Sequence, residues 1–379
     1  MALLGTNLIL LLGPGVPLPA RPDLVEMVER IEVTHTDGDR SAFQMILRLG
    51  RTNLDMVDYR FALDPALKPF SRVSMTVLFG GMPKVLFDGV ITNQQISPGS
   101  QPGEGRMTIT GEDMSALMDL HEKNNVEHPA LPEMLIAMKI LASYAPYGVI
   151  PMVLPPPSVD VPIPTERTPV QQATDLNYLK EMAARYGYSF HIEPGPAPTT
   201  STAYWGPPKR MTIPQRAISV NMGPQTNASG LQFQYDGNAQ EMVEGTVQDR
   251  TTNVSLPVMT VVGMRTPLVP MPAYAVQTQK KVRSFRGSGL TVTQAFAKAQ
   301  GITDASQDRV LRVNGELDTN VYGSALMPWG TVGLRGAGFS HDGLYYVDRV
   351  THTLEPGKYT QKFSMLREGH GAISPVVIP

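Results

Sequence analysis

The sequence predicts a mainly β (α+β) protein in which two β-rich parts flank an α/β insert. Three observations carry that prediction. Short runs of alternating apolar and polar residues recur toward both ends of the chain, the mark of half-buried strands. The middle third switches to apolar residues at helical spacing. The 34 glycines and 34 prolines are spread along the chain, so they mark turns between short strands rather than a low-complexity tail.

With 379 residues, 42% hydrophobic and 17% charged, the chain can bury a sizeable core in two or three domains. Lys plus Arg number 32 against 34 Asp plus Glu, a net charge of -2. That balance supplies no global field for nucleic acid or an anionic membrane, so neither specific nucleic-acid binding nor membrane insertion is expected. The absence of cysteine excludes disulfides, thiolate nucleophiles and Cys-ligated metals, and fits folding in a reducing cytoplasm.

The N-terminal arm, residues 1–28, begins MALLGTNLILLLGPGVPLPA and imitates a signal peptide. No Lys or Arg precedes Arg21, and Gly13, Pro14, Gly15, Pro17 and Pro19 interrupt the apolar run. It reads as a buried edge segment or a subunit-contact arm. No other apolar run is long enough to span a bilayer.

The first β-rich domain covers residues 29–116. Ile31 and Val33 alternate with Glu32 and Thr34, and Phe43, Met45 and Leu47 continue the pattern. RVSMTVLFGGMPKVLFDGVITNQQIS reads as a hairpin turning at Gly80, Gly81, Met82 and Pro83. GRMTITGEDM puts Met107 and Ile109 inward. Such a set suggests a sandwich or barrel.

Residues 117–216 form the α/β insert. A helix over ALPEMLIAMKILASYAPYG would present Leu131, Leu135, Met138 and Leu141. The proline-rich PMVLPPPSVDVPIPTERTP is a connector that cannot be helical. A second helix is capped by Thr174 or Asp175, buries Leu176, Leu179, Met182, Ala183 and Tyr186, and stops at Gly187. YSFHI follows as a strand, and residues 193–208 read as a surface loop.

The second β-rich domain covers residues 217–379. AISVNMG, LQFQYDG, NVSLPVMTVVGM and QKKVRSFRG read as strands, and TVTQAFAKAQGI as a helix capped by Thr291 or Thr293. GTVGLRG and a closing hairpin turning at Pro356–Gly357 complete the domain.

No constellation of reactive residues stands out. RGAGFSH has His341 where a dinucleotide fingerprint needs its third glycine, and RGSGL gives Ser288 the wrong spacing for a nucleophile elbow. His121 and His128, with Glu122 and Glu127, lie on a wet loop without a zinc motif. His341–Asp342 and Asp348–His352 are conceivable base and carboxylate pairs. The latter share a strand face at even spacing, about 13 Å apart at ~3.3 Å per residue, so they cannot touch. Glu112 and Asp113 point to opposite faces, which leaves Asp113 as a helix cap. Lys280, Lys281, Arg283 and Arg286 around Phe285 read as a solvated strand or inter-subunit salt bridges. The expectation is a non-enzyme with no catalytic, cofactor-binding or metal-binding residues and no cofactor.

Three stretches, in order, resemble the late control protein D family, the baseplate hub proteins of contractile phage tails and related injection systems. These are MTITGEDMSALMDL, TPVQQATDLNYLKEMAARYGYSFHI with Tyr178 at the aromatic position, and the closing segment from Gly323. In the last, Pro328, Gly330, Gly336, Gly343, Tyr346, Val350, His352, Gly357, Tyr359 and Phe363 fit the family pattern, and Trp329 intrudes as a departure affecting one turn. The likeness extends to the hub part of type VI secretion spike proteins and runs from about Ile31 to Arg367.

The resemblance implies two tail-tube-like antiparallel β-barrels with the α/β insert between them. It implies a homotrimer that adapts a six-fold tail tube protein ring to a three-fold central spike protein, with other baseplate components as neighbours. It further implies assembly in the bacterial cytoplasm into a phage tail or extracellular contractile injection particle. With the chain ending at Pro379, the spike and any cell-wall hydrolase are expected to be separate proteins. A cell-wall (peptidoglycan) hydrolase on a β scaffold and a carbohydrate-binding β-sandwich are the alternative readings.

Overall fold

The computed structural model describes residues 7–49, 59, 61–100, 104–157, 159, 161–165, 167–249, 252–285 and 289–373. The apolar N-terminal run forms strand β1 (Asn7–Gly13), which buries Leu8, Leu10 and Leu12. Its glycines and prolines make a turn into the two-residue β2 (Leu18–Pro19), before helix α1 (Pro22–Glu26). Strands β3 (Val28–Thr36), β4 (Ala42–Leu49), β5 (Arg72–Phe79), β6 (Met82–Ser97) and β7 (Gly105–Asp113) follow. The expected alternation holds, with Ile31, Val33, Met45, Leu47, Met107 and Ile109 all fully buried. The β5–β6 hairpin turns through Gly80 and Gly81, both at positive φ. Strand β1 pairs antiparallel with β5 along its whole length, so much of the expected arm is a sheet strand.

In the insert lie helix α2 (Ser115–Met118), β8 (Val126–Glu127), α3 (Glu133–Ala142), β9 (Val149–Val153), β10 (Val170–Gln171), α4 (Asp175–Arg185), β11 (Ser189–Pro194) and β12 (Ser201–Gly206), and all of these but the short β8 and β10 contribute to one core. Helix α4 matches its sequence signals. The Thr174 hydroxyl accepts from the Asn177 amide at 3.3 Å, the apolar stripe is buried, and Gly187 follows at φ +65. Two expectations are corrected. Helix α3 buries Ile136, Ala137, Ile140 and Leu141, leaving Leu135 44% and Met138 39% exposed. A helix apolar on most sides does not choose its own buried face; its neighbours do. Residues 193–208 are not a loop throughout, because β12 inserts between β11 and β9 and buries Ser201, Ala203 and Trp205.

The C-terminal part supplies β13 (Gln215–Ser219), β14 (Ala228–Tyr235), β15 (Glu241–Gln248), β16 (Ser255–Thr260), β17 (Met271–Pro272), α5 (Ala273–Val276), β18 (Lys281–Ser284) and α6 (Val292–Gln307). Then come β19 (Leu311–Asp318), α7 (Thr319–Tyr322), β20 (Thr331–Arg335), β21 (Gly343–Glu355), β22 (Lys358–Arg367) and β23 (Gly369–His370). Helix α6 opens on a full capping box between Thr291 and Gln294 and packs on the small β16–β15–β18 sheet.

The decisive pairing joins the two β-rich parts. Strand β21 runs antiparallel to β3, with Arg349 opposite Thr36 and Leu354 opposite Ile31. One sheet therefore follows the path β14-β19-β22-β21-β3-β4-β7-β6-β5-β1-β2, with β20 and β13 branching from β21. Among the described residues the two β-rich parts share one sheet through the β21–β3 pairing, and no closed barrel is present in either half. The first core is correspondingly completed by Trp329, Leu354 and Tyr359 from the second half.

Candidate functional surface

Alternation along each strand gives the joined sheet two unlike faces. On the outward face a register row runs Thr360–Thr353–Glu32–Gln44–Thr110–Asn93, crossing six strands and the seam without an apolar residue. The neighbouring row on the core side runs Gln361–His352–Val33–Phe43–Gly111–Ile91 and is buried. Gly111 is required there, since a Cβ would sit 2.3 Å from the Phe43 ring and from the Val90 carbonyl oxygen. A groove of about 560 Å³ lies on the polar face of the C-terminal half, lined by Gln232, Arg312, Asn314, Arg349 and Lys362 among others. In the N-terminal half, arginines on this face meet carboxylates: Arg30–Glu32 at 2.6 Å, Arg40–Glu112 at 2.6 Å and Arg106–Glu29 at 2.9 Å.

The insert is tied down by charge and stacking. Arg72 holds the fully buried Asp88 through Nε at 3.0 Å and Nη2 at 2.7 Å, and donates to the Thr199 carbonyl at 2.6 Å. The Ser201 hydroxyl donates to the same Asp88 at 2.7 Å. Trp329, at φ +64, stacks on His191 of β11 at 4.8 Å and meets His35 of β3 edge-on at 5.5 Å. Trp329 is thus the wedge where both halves and the insert meet. Arg210 reaches Asp308 at 2.8 Å and Glu368, and Arg265 binds Asp308 and the Gly187 carbonyl. Arg210, Arg265, Asp308 and Gly187 line a cleft of about 690 Å³ between insert, α6 and sheet.

The residues weighed for chemistry are dispersed. Asp113 accepts from the amides of Ser41 at 2.6 Å and Ser115 at 2.9 Å, fixing the start of α2, and burial raises its carboxyl above the ordinary range. Glu112 pairs with Arg40 on the opposite face, as expected. His121 is exposed, but His128 is buried against Tyr178 at 6.1 Å rather than on a wet loop. Asp342 accepts from the Ala337 amide at 2.7 Å, while His341 packs on Phe233 at 4.3 Å. The shared face of Asp348 and His352 is lost, because a bulge between Val347 and Arg349 shifts the alternation. His352 is fully buried and Asp348 meets Arg312 at 3.6 Å. Lys281 and Arg283 both pair with Glu241, at 2.8 and 3.3 Å, and Phe285 is buried. Arg286 and Ser288 lie outside the described residues. Among the described residues no three His, Asp or Glu side chains converge in metal-ligating geometry, and no helix is long and apolar enough to cross a membrane.

Sequence reasoning missed Arg72, Asp88, His191, Arg210 and Trp329. One signal was available: Asp88 is a lone acid inside the apolar run VLFDGVI, a position that demands a buried partner.

Neither a protein-family model nor a curated protein matches the sequence. Solved structures do match in shape. The 43 kDa tail protein of prophage MuSo2 from Shewanella oneidensis aligns with TM-score 0.65 at 10% identity, over 96% of this chain and 98% of that one. A tail protein from Neisseria meningitidis MC58 aligns with TM-score 0.63 at 11% identity, over 96% and 97%. This is the fold of a baseplate hub or tail protein. An E. coli component of the type VI secretion system, described as similar to the T4 bacteriophage tail proteins gp27 and gp5, also carries the tail-protein fold. It aligns with TM-score 0.55 at 13% identity, over 93% of this chain and 77% of that one. At these identities the likeness is one of fold.

Proposed function

We propose that the chain is a structural baseplate hub whose three copies form a ring adapting a six-fold tail tube to a three-fold central spike. The carrying observation is the polar row that crosses the seam without interruption, which suits one wall of a water-filled channel. Each half of the sheet would serve as one tube-like unit, so a trimer would offer six. Residues 29–116 and 217–379 are the two units, 117–216 the insert between them, and 1–28 the segment nearest a neighbour. An open sheet leaves edges, here β14 at one end and β2 at the other, and association with further copies is the ordinary way to cover them. The tube ring, the spike and other baseplate components are the proposed partners, in a phage tail or secretion particle. Val16 in the turn after β1 and Leu18 in β2, 80% and 66% exposed, are the proposed contact of the N-terminal segment.

Light scattering with electron microscopy tests this reading. A ring-shaped trimer supports it, whereas a stable monomer with cell-wall hydrolytic activity overturns it.

A further inference from the structure

The seam between the halves contains a pair of groups that the hub reading does not use. His35 on β3 and His352 on β21 are both fully buried, with ring centroids 5.9 Å apart. They sit on the core face of the strands whose pairing makes the two halves one sheet. We propose that the seam is an acid-labile joint, in which proton uptake by the His35–His352 pair parts β3 from β21 while each half keeps its own strands.

The surroundings of the pair favour neutral rings. His35 Nε2 lies 2.8 Å from the Leu86 carbonyl oxygen, to which its N–H donates. A second proton would enter at Nδ1, which is buried with no hydrogen-bond partner among the described residues. Facing His35 are the Phe87 and Trp329 rings, His352, and the cation of Lys84 from β6. Facing His352 are His35 and Tyr359, whose hydroxyl lies 2.9 Å from Nδ1. Asp37, just past the end of β3, is turned to the Tyr346 hydroxyl at 3.0 Å and to His191 at 3.6 Å. His191 has a second carboxylate, Glu193, at 2.9 Å. Among the described residues no carboxylate is placed to receive a charge on the seam pair, and a protonated ring buried without one is costly.

Burial accordingly lowers His35 from 6.5 to about 4, outweighing its bond to Leu86, and pushes His352 well below the ordinary range, helped by the positive potential of His35. The sign follows from these depressed values. The unfolded or opened chain binds protons more readily, so the seam is at full strength above about pH 6.5 and weakens as pH falls toward about 4. Strands β4–β7 and β19–β22 have no such pair across their ladders.

Hydrogen exchange of the full chain, corrected for intrinsic rates, tests the joint at about pH 7 and about pH 5. The expected result is acceleration on the order of tenfold or more in the β3–β21 ladder, with β4–β7 and β19–β22 unchanged. Equal acceleration across all these ladders, or none at the seam, overturns the proposal. The double variant His35→Gln, His352→Gln should abolish the selective effect. Should that variant not fold, ring titration by NMR in the natural chain decides. Ring protonation only together with seam opening supports the joint, and either ring titrating near 6.5 with the seam closed overturns it. Since the readout is within one chain, it stands or falls independently of ring assembly.

Discussion

The molecule has two joints made of opposite materials. The seam between the β-rich halves is a backbone ladder with two buried neutral imidazoles on its core side. The joint with the insert is charged: the Arg72–Asp88 pair of β5 and β6 holds the Thr199 carbonyl and Ser201 hydroxyl of the insert, Arg210 grips Asp308 and Glu368, and His191 lies between Asp37 and Glu193. A ladder fixes register whatever its side chains carry, so its weak point is a proton forced into a dry site. A charged joint is vulnerable to losing one partner, because the other is then buried without compensation. Trp329 touches both, through His35 and through His191.

That comparison can be broken or sharpened by substitution. The largest effect is expected from Trp329→Ala, which should cost about 3–5 kcal/mol in denaturant unfolding and raise hydrogen exchange at both joints. A change limited to one joint would remove its bridging role. Next comes Arg210→Met, at about 3 kcal/mol, since it strands the buried Glu368. Exchange should rise around Gly187 and α6 while the β3–β21 ladder keeps its protection. Gly301→Ala should follow at about 1–3 kcal/mol, because its Cβ would meet the Gly187 Cα at 2.5 Å and push α6 off the end of α4. The smallest is Thr291→Ala, about 1 kcal/mol, which removes the capping box and should fray α6 with neither joint altered. Urea midpoints with residue-level exchange measure all four.

Much of the fold was legible. The strands carrying Ile31, Val33, Met107 and Ile109, the Gly80–Gly81 hairpin and the capped helix α4 follow from local signals alone. The buried face of α3 was misassigned because Leu135 and Met138 are as apolar as Ile136 and Ile140, and only contact distinguishes them. The segment holding β12 reads as a loop from sequence, since the prolines on either side signal turns more strongly than the alternation of Ser201, Ala203 and Trp205 signals a strand. Asp348 and His352 were placed on one face because an unbulged strand was assumed. Of the candidate surface, the polar side of each strand was readable, but its continuity across the seam was not.

By itself the sequence determined the buried faces of strands such as β3, β4 and β7, the Gly80–Gly81 turn, and the capped helices α4 and α6. Tertiary structure alone decided that β21 meets β3, that Trp329 is a wedge rather than a turn irregularity, and that the two β-rich parts form one open sheet. The physical reason is that a period of two specifies a face and is indifferent to the partner at its edge. That partner is chosen by contacts between distant residues, such as Thr34 and Thr351, whose hydroxyls meet across the seam at 3.0 Å.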